Sequence, residues 1–362
     1  MENLVNREHW RGRRVFLTGH TGFKGGWLAL WLNELGATVT GYALAPPTEP
    51  NFFATARIGE TLHSVIGDIR DLECVSRAMH EARPQTLLHL AAQPIVSQGY
   101  SDPVGTYATN VLGTVNVLEA ARSCPTLESI IVVTTDKCYD NRDTLHDYVE
   151  TDPLGGRDPY SSSKACSELV STAYRQSYFD KPESARLVTA RAGNVIGGGD
   201  WAANRLVPDL LRSFSAGRAA RLRHPEAIRP WQHVLDPLAG YLNLAEYLAR
   251  NSMCPDALNF GPELADCINT SRLADLVARQ WSDTATWECE PTTLLHEAQL
   301  LRLNTNAARE VLKWRPKWPL NEAVRHTVSW HRAWLSGYDM QSFSRDQIKQ
   351  YQRTTSALDE SR

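Results

Sequence analysis

The chain has 362 residues and a formal net charge of −3, with 42% hydrophobic and 22% charged residues. These values are typical of a globular protein, so the composition excludes disorder, collagen-like repeats and long coiled coils. The length predicts about two domains. A near-neutral charge provides no general attraction to nucleic acid or to anionic membranes, and we expect neither as a partner.

Apolar runs and cysteines indicate the compartment. No apolar run approaches the roughly 18 residues that cross a bilayer, and the polar first ten residues do not resemble a secretory signal. The seven cysteines are scattered without a Cys-x-x-Cys pair, which argues against a disulfide framework and a zinc cage. The eleven histidines show no metal-ligand spacing. We therefore expect a cytoplasmic protein without a metal.

Short β-rich runs alternate with helical patterns through the first 190 residues. Strands separated by helices pair in parallel through right-handed crossovers. This alternation predicts an α/β fold with a doubly wound parallel sheet, the Rossmann arrangement. The predicted strands are Arg14–Thr18, Thr38–Tyr42, His63–Ile66, Thr86–Leu90, Ser129–Thr134 and Arg186–Arg191.

The pattern changes past residue 192. Helix-like runs cover Ala202–Gly217 and Pro237–Leu248, and Ala257–Phe260 is a further candidate strand. We predict a nucleotide-binding domain over residues 1–192 and a smaller α+β substrate domain over 193–340, with a segment of about 231–260 that is able to rejoin the first domain. The polar residues 341–362 are expected to form a frayed tail.

A glycine-rich turn follows the first predicted strand and reads Gly19-His20-Thr21-Gly22-Phe23-Lys24-Gly25. Its three glycines allow a tight turn, close approach of the backbone to a pyrophosphate, and close packing of helix on strand. The next helix presents free N–H groups and the positive end of its dipole to the phosphates. In this position the motif predicts dinucleotide binding rather than an ordinary turn.

The second strand ends without the acidic residue that usually holds the adenosine ribose. No arginine for a ribose phosphate precedes Arg57, so this position leaves NAD and NADP open. Asp68 and Ile69 follow the third strand. Asp68 either contacts the adenine edge or caps the next helix.

Tyr160 and Lys164 lie four residues apart behind Pro159, so they share one face of a helix. A phenol has an ordinary pKa of about 10, and a nearby ammonium and a positive nicotinamide would lower it toward neutral pH. Such a pair is common by chance on helix surfaces. Its place about 25 residues after Thr135, behind a phosphate-binding turn, indicates a catalytic pair.

Together these elements resemble the extended short-chain dehydrogenase/reductase family, with Leu90-Ala91-Ala92 and Thr109-Asn110-Val111 matching in order. The resemblance implies that Thr135 binds the substrate 4-hydroxyl, Tyr160 removes its proton and Lys164 supports both. It also implies self-association, as a dimer or a pair of dimers, through the helices of Tyr160 and of the apolar stripe Val104–Leu118, which could otherwise be plain core. The implied cofactor is NAD, with contacts from Gly19, Thr21, Gly22, Phe23, Lys24, Gly25, Asp68, Ile69, Leu90, Ala91, Ala92, Thr109, Tyr160 and Lys164.

The triplet Thr135-Asp136-Lys137 resembles the nucleotide-sugar 4,6-dehydratases of this family, whereas its simple epimerases usually have small or apolar residues after the Ser or Thr. Dehydration oxidises C4, eliminates water across C5 and C6, and returns hydride to C6, so it needs an additional acid and base. The resemblance implies Asp136 as the acid and Lys137 as the base, whose pKa must then fall several units from about 10.4. The alternative is a structural ion pair.

Longer motifs resemble the members that act on CDP-glucose: Ala91-Ala92-Gln93-Pro94, Arg191–Trp201, Arg229–Val234 and Trp314-Arg315-Pro316. No basic residue stands at 97 or 98, where we expected one. Alternatives are a 4-epimerase or reductase of the same family and a non-catalytic nucleotide-binding regulator. Arginine binds diphosphates bidentately, so the arginines of the second region are candidate ligands. Among them, the resemblance implies Arg229 and Arg302 for the diphosphate. The predicted substrate contacts are Gln93, Asn194, Arg205, Asp209, Arg229 and Arg302, whereas Trp231 and His233 are expected in the core.

Overall fold

The structure is a computed structural model that describes residues 5–251, 253–290 and 300–354. Within these residues, no helix combines the length and the apolar character that crossing a bilayer requires.

Fifteen β-strands lie within the described residues, and seven of them form one parallel sheet in the order β12-β7-β5-β4-β1-β2-β3. The other eight form four two-stranded pairs, β10 with β13, β11 with β8, β14 with β9 and β15 with β6. The strands are β1 (Arg14–Thr18), β2 (Thr38–Ala43), β3 (His63–Ile66), β4 (Thr86–His89), β5 (Ser129–Val133), β6 (Asp147–Tyr148), β7 (Arg186–Ala192), β8 (Val195–Ile196), β9 (Ala220–Leu222), β10 (Ile228–Pro230), β11 (Gln232–His233), β12 (Ala257–Phe260), β13 (Cys267–Asn269), β14 (Trp287–Cys289) and β15 (Arg302–Leu303).

Fourteen α-helices accompany these strands in the described part of the chain. A π-helical turn, Ala108–Leu112, joins α6 to α7, and a 3₁₀ turn, Asp136–Cys138, follows β5. The helices are α1 (Arg7–Trp10), α2 (Phe23–Leu35), α3 (Phe52–Thr55), α4 (Leu72–Ala82), α5 (Val96–Ser101), α6 (Pro103–Tyr107), α7 (Gly113–Arg122), α8 (Pro159–Tyr178), α9 (Leu206–Ser215), α10 (Leu235–Leu248), α11 (Thr270–Trp281), α12 (Asn306–Leu312), α13 (Leu320–Leu335) and α14 (Met340–Arg353).

The strand order confirms the predicted doubly wound sheet. The chain runs outward from β1 to β2 and β3, then crosses to β4 on the other side of β1. Val15 accordingly pairs with Val39 of β2 and with Thr86 of β4. The order reverses between β1 and β4, and in such sheets this switch point opens a crevice at the carboxyl ends of the strands. The candidate site lies there.

The six predicted strands agree with β1, β2, β3, β4, β5 and β7 to within one residue at each end. The candidate strand Ala257–Phe260 is β12, which pairs in parallel with β7 at the edge of the main sheet. The helical run predicted over 202–217 is shorter, from Leu206 to Ser215, because Asn204 adopts a left-handed φ of 63° before it. The division into two domains at residue 192 remains a prediction.

The predicted frayed tail is wrong for residues 340–353, which form the helix α14. Its polar sequence contains Met340, Ile348 and Tyr351 on one face, and all three are buried against the main core. Tyr351 packs edge-on against Trp31 of α2, with ring centroids 5.6 Å apart. These few apolar positions are enough to hold α14 against the protein, because burial of large apolar side chains is strongly favourable. Residues 355–362 lie outside the described residues.

A second core forms beyond the sheet. It packs α9, α11 and α13 together through Leu210, Leu273, Val277 and Val324, all of them buried. The strand pairs β9–β14 and β10–β13 flank these helices. Arg229 on β10 and Arg205 before α9 lie close enough to the end of β5 and the start of α8 for their charges to act on Asp136 and Tyr160, respectively.

Candidate active site

The glycine turn between β1 and α2 leaves no room for side chains. Gly19 has a φ of +82°, and a Cβ there would lie 2.8 Å from the backbone N of Ala91. A Cβ on Gly25 would lie 2.0 Å from the carbonyl oxygen of Gly19. Gly22 is the N-cap of α2, where no side chain occupies the helix N-terminus. These features fit a dinucleotide pyrophosphate, which needs bare backbone and free N–H groups.

Buried polar side chains hold this turn against β4. The Thr18 hydroxyl accepts hydrogen bonds from the N–H groups of Leu90 and Ala91, both at 3.1 Å. His89 bridges Thr18, 2.7 Å from Nδ1, and Thr114, 3.1 Å from Nε2. Burial lowers the pKa of His89 to about 3, so its imidazole is neutral. Sequence analysis missed this support, although polar residues ending two buried strands are a usable signal.

Asn110 on the π-helical turn joins the loop after β4 to α8. Its Oδ1 accepts from the N–H of Gln93 at 2.8 Å, and its Nδ2 donates to Gln93 O and to the hydroxyl of Ser163. The Gln93 amide itself donates to Thr106 at 2.9 Å and accepts from the N–H of Ile95 at 2.5 Å. Gln93 is therefore satisfied within the protein, and its predicted substrate contact remains a prediction.

The residues after β3 exclude one interpretation of Asp68, the helix cap, and its contact with the adenine edge remains a prediction. The N-cap of α4 is Asp71, which accepts from the N–H of Cys74 at 3.0 Å, so Asp68 is not the cap. Asp68 instead binds the Arg70 guanidinium at 2.6 Å, and this hydrogen bond lowers the pKa of the carboxyl. Ile69 is buried, whereas Asp68 is half-buried.

Three predicted catalytic residues meet at the carboxyl end of β5. Asp158 caps α8, and its side chain accepts from the N–H of Ser161 at 3.0 Å. Tyr160 and Lys164 stand on the first turns of this helix and are 8% and 7% exposed. Thr135, the residue that precedes the 3₁₀ turn, lies close enough to the Tyr160 phenol to act on its pKa. The arrangement brings a phenol, a hydroxyl and an ammonium into one buried cluster.

The lowered pKa predicted for Tyr160 is not found in the protein alone. Burial raises the pKa of Tyr160 to about 12, although the side chain of Thr135 and the charge of Arg205 both oppose this. The ammonium of Lys164 donates to the carbonyl oxygen of Val133 at 3.1 Å. Burial also lowers the pKa of Lys164 to about 8. A lower phenol pKa therefore depends on the positive charge that a bound oxidised nicotinamide adds.

Asp136 is the most enclosed acid of the cluster, at 2% exposed. Among the residues that the structure describes, its Oδ2 has no hydrogen-bond partner. Burial raises the pKa of this carboxyl, and the charges of Lys137, Arg229 and Lys24 oppose the rise. Lys137 is half-buried beside it on the same 3₁₀ turn. A carboxyl with a raised pKa and an unused oxygen is suited to donate a proton.

The structure adds Lys24 to the catalytic cluster. Sequence analysis predicted it only as part of the phosphate-binding turn. Its half-buried ammonium interacts electrostatically with Arg205, Lys164 and Asp136. Burial lowers the pKa of Lys24 to about 7, and the two neighbouring cations act in the same direction. The predicted carboxylic acid is therefore surrounded by positive charge.

The three predicted substrate arginines are anchored, unlike solvated surface charges. Arg229 is 2% exposed on β10 and donates to the carbonyl oxygen of Ile228 at 2.9 Å. Arg302 on β15 pairs with Asp147 on β6 through Nε at 2.7 Å and Nη2 at 3.1 Å. Arg205, the N-cap of α9, pairs with Asp200 at 2.9 Å.

The substrate contacts predicted at Asn194 and Asp209 and the cofactor contact predicted at Thr109 remain predictions. Asn194, between β7 and β8, is half-buried, and its carbonyl oxygen accepts from the N–H of Gln232 at 3.1 Å. Asp209 on α9 pairs with Arg212 at 2.6 Å. Thr109 is half-buried on the π-helical turn. Two residues that were expected in the core, Trp231 and His233, are buried at 5% and 0% exposed.

Comparisons with known proteins agree with this site. The model of the NAD-dependent epimerase/dehydratase family matches residues 15–259, and the chain belongs to that family. The chain is 44% identical to the CDP-glucose 4,6-dehydratase of Salmonella typhimurium over 357 residues, covering 97% of this chain and 99% of the relative. The resemblance inferred from the motifs is therefore confirmed.

Solved structures show the same fold. One is the dTDP-glucose 4,6-dehydratase DesIV of Streptomyces venezuelae, solved with NAD bound, with a TM-score of 0.76, 22% identity and coverage of 90% of this chain and 99% of that chain. Another is the UDP-glucose 4-epimerase of Thermotoga maritima, with a TM-score of 0.77, 20% identity and coverage of 89% and 99%. Dehydratases and epimerases thus share this architecture, and the side chains must distinguish them.

Proposed function

We propose that the chain converts CDP-glucose to CDP-4-keto-6-deoxyglucose, a step in deoxysugar synthesis, as an NAD-dependent 4,6-dehydratase. The observation that carries the proposal is the buried carboxyl of Asp136, which accepts a hydrogen bond from Thr135 and lies close enough to Tyr160 to act on its pKa. The 44% identity to a CDP-glucose 4,6-dehydratase along nearly the whole chain supports the same substrate.

The oxidation at C4 is assigned to α8 and the residue after β5. Thr135 holds the 4-hydroxyl of the sugar, and Tyr160 accepts its proton. Lys164 would bind the nicotinamide ribose, and the positive charge of the oxidised nicotinamide would favour the phenolate. The glycine turn would hold NAD, which would accept the hydride from C4 and return it to C6. The burial of this cluster excludes bulk water from the reacting carbon.

The elimination is assigned to the 3₁₀ turn. A 4-ketone acidifies the proton on C5, and Lys137 removes it. Asp136 donates a proton to the 6-hydroxyl, which leaves as water. Its raised pKa supports this assignment, because burial keeps the carboxyl protonated at a higher pH than an exposed aspartic acid. A 4-epimerase needs neither step, so these residues favour a dehydratase.

The diphosphate of the substrate is assigned to arginines. It carries about two negative charges, which guanidinium groups bind bidentately. Arg229 and Arg302 would hold the two phosphates, while Arg205 and Asn194 would hold the sugar side. Asp147, its register partner on the paired strand β6, holds the Arg302 guanidinium in an ion pair. Asp209 and Gln93 support the walls of the same crevice.

We also propose that the chain self-associates through α6, α7 and α8, as a dimer or a pair of dimers. Val104, Leu112 and Leu169 are 79%, 59% and 59% exposed on these helices. Exposed apolar side chains that gather on adjacent helices are typical of a protein interface. A four-helix bundle between two copies would cover them. Light scattering of the purified protein, with Leu169→Glu as the disrupting variant, tests this assignment.

The test of the proposed function is incubation of the purified protein with CDP-glucose, UDP-glucose and dTDP-glucose in parallel, without added cofactor. We expect a 4-ketosugar product from CDP-glucose and much slower conversion of the other two, because a site that hydrogen-bonds one base edge strongly rejects another. Equal rates for the three substrates would contradict the specificity for cytidine. Formation of CDP-galactose instead would identify an epimerase.

A further inference from the structure

Glu168 and Arg191 form an ion pair beneath the candidate catalytic residues. The Arg191 Nη2 lies 2.8 Å from Glu168 Oε2, and the two side chains are 5% and 2% exposed. The proposed mechanism uses neither residue. Burial of two charges costs free energy unless their remaining hydrogen-bonding groups are also satisfied. The partners of this pair therefore indicate what it does.

Glu168 attaches α8 to two strands of the sheet. It stands one helical turn after Lys164. Its Oε1 accepts a hydrogen bond from the hydroxyl of Thr134, directly before Thr135. Its Oε2 accepts from the hydroxyl of Thr189 on β7 at 2.7 Å, in addition to Arg191. One donor directly after β5 and two donors on β7 thus fix the position of the helix that carries Tyr160 and Lys164.

Arg191 extends the same network to the 3₁₀ turn. Its Nη1 donates to the hydroxyl of Tyr139 at 2.9 Å and to the carbonyl oxygen of Glu150 at 2.9 Å. The guanidinium also lies over the Tyr139 ring, 5.0 Å from its centroid. Tyr139 is the residue that ends the turn Asp136–Cys138. The position of the predicted acid and base therefore depends on where Tyr139 is held.

Tyr139 connects this hydrogen-bond network to the strand pair β6–β15, which carries the predicted substrate residue Arg302. Its hydroxyl donates to Asn259 Oδ1 on β12 at 2.7 Å. The Asn259 Nδ2 donates to the carbonyl oxygens of Tyr148 and Asn304, at 2.9 Å and 3.1 Å. Tyr148 lies on β6, and Asn304 follows β15, the strand of Arg302. A continuous chain of hydrogen bonds thus runs from the catalytic helix to the strand pair that holds Arg302.

We propose that the Glu168–Arg191 pair, acting through Tyr139, is a positioning device that sets the 3₁₀ turn of Asp136 and Lys137 at a defined distance from Tyr160 and Lys164. This inference rests on the proposed function. A dehydratase needs two sets of groups, on two separate elements, to converge on one hexose. A misplacement of about 1 Å in such an arrangement costs about 100-fold in rate.

The test is Tyr139→Phe, with Tyr148→Phe as the matched control. Tyr139→Phe removes one oxygen and leaves the ring, while Glu168 keeps Thr134, Thr189 and Arg191 as donors. The control removes the same oxygen from the ring that stacks on Tyr139 at 4.9 Å, where the hydroxyl contacts only the loop at residues 140–142. Both variants are compared with the wild type by thermal melting, CDP-glucose binding, steady-state kinetics and single turnover.

For Tyr139→Phe we expect kcat to fall about 10- to 100-fold with KM within about twofold, because binding is retained while the acid and base are displaced. In single turnover, reduced nicotinamide should accumulate, since oxidation at C4 continues and elimination slows. Tyr148→Phe should match the wild type. An equal response of the two variants, a uniform slowing without accumulation, or loss of the fold in Tyr139→Phe would overturn the inference. A wild type that makes no 4-ketosugar from CDP-glucose would instead overturn the proposed function on which it rests.

Discussion

The hydroxyl of Thr135 donates a hydrogen bond to Oδ1 of Asp136 across 2.9 Å, whereas Oδ2 accepts no hydrogen bond from any residue that the structure describes. The residue assigned to the 4-hydroxyl of the sugar therefore also orients the residue assigned to the 6-hydroxyl. One side chain fixes the other because both follow β5 on the same short turn. Several variants separate the two roles.

Asp136→Asn should stop the elimination and spare the steps before it. Asparagine keeps the acceptor for Thr135 and has no acidic proton, so turnover should fall about 10²- to 10⁴-fold. Exchange of the C5 proton with deuterated solvent should persist, because Lys137 is intact. Mass spectrometry of the sugar nucleotide measures both quantities. Asp180→Asn, on the surface, is the control, and wild-type turnover in Asp136→Asn would remove the carboxyl from the mechanism.

Lys137→Ala should give the complementary pattern. Oxidation at C4 depends on Tyr160 and should continue, whereas exchange of the C5 proton should stall for lack of a base. The measurement is deuterium content at C5 beside the single-turnover absorbance of reduced nicotinamide. An exposed lysine, Lys181, provides the control when changed to alanine. Exchange at the wild-type rate would exclude Lys137 as the base.

Tyr160→Phe should abolish turnover while CDP-glucose still binds. Loss of a positioned general base typically costs about 10²- to 10⁴-fold, and the ring that packs at the start of α8 is retained. Tyr174→Phe removes a hydroxyl from the same helix, 3.3 Å from Glu119 and away from the crevice, and should leave the rate unchanged. Calorimetric titration with CDP-glucose separates binding from catalysis. Near-normal turnover in Tyr160→Phe would reject the base assignment.

Gly25→Ala should remove the cofactor. The added Cβ would lie 2.0 Å from the carbonyl oxygen of Gly19, so the turn that receives the pyrophosphate must shift. We expect the purified variant to contain at most about a tenth of the NAD of the wild type, since even one lost hydrogen bond of about 1.4 kcal/mol is tenfold in affinity. The control is Gly261→Ala, whose Cβ meets its nearest neighbour at an ordinary 3.4 Å. Full NAD content would contradict the assignment of the turn.

Asp236 should make the stability of the fold depend on pH. Its Oδ1 accepts from the N–H of Lys317 at 2.7 Å and from the hydroxyl of Tyr351 at 2.8 Å, and burial raises its pKa from 3.8 to about 7. The folded state thus binds this proton more tightly than the unfolded state. Protonation of Asp236 therefore contributes to the free energy of unfolding. This contribution is complete below pH 3.8 and is lost as the pH rises through about 7.

The variant Asp236→Asn isolates this effect. It cannot ionise, so the difference in unfolding free energy between wild type and variant should change by up to about 1.4 kcal/mol per pH unit across that window. Urea unfolding at several pH values measures it, and the wild type should lose stability relative to the variant as the pH rises. A difference that is independent of pH would show that Asp236 does not titrate between the two states.

Local patterns predicted most of the fold. The six strands were found from β-rich runs bounded by turn residues, and the glycine turn and the Tyr160–Lys164 pair depend only on spacing along the chain. The prediction failed for α14, whose polar sequence becomes helical because three residues meet the core. It also left two interpretations of Asp68 open, because the cap depends on where α4 begins.

The sequence by itself determined the alternation of strands and helices and the glycine-rich turn after β1, because each of these is encoded within a few neighbouring positions. The candidate catalytic residues were instead implied by the family resemblance. Only the tertiary structure decided that the charges of Lys24 and Asp136 act on each other, that burial raises the pKa of Tyr160, and that Glu168 pairs with Arg191. These depend on burial and on contacts between residues far apart in the chain. Electrostatic energy and desolvation are set by distance in space, which a linear pattern does not contain.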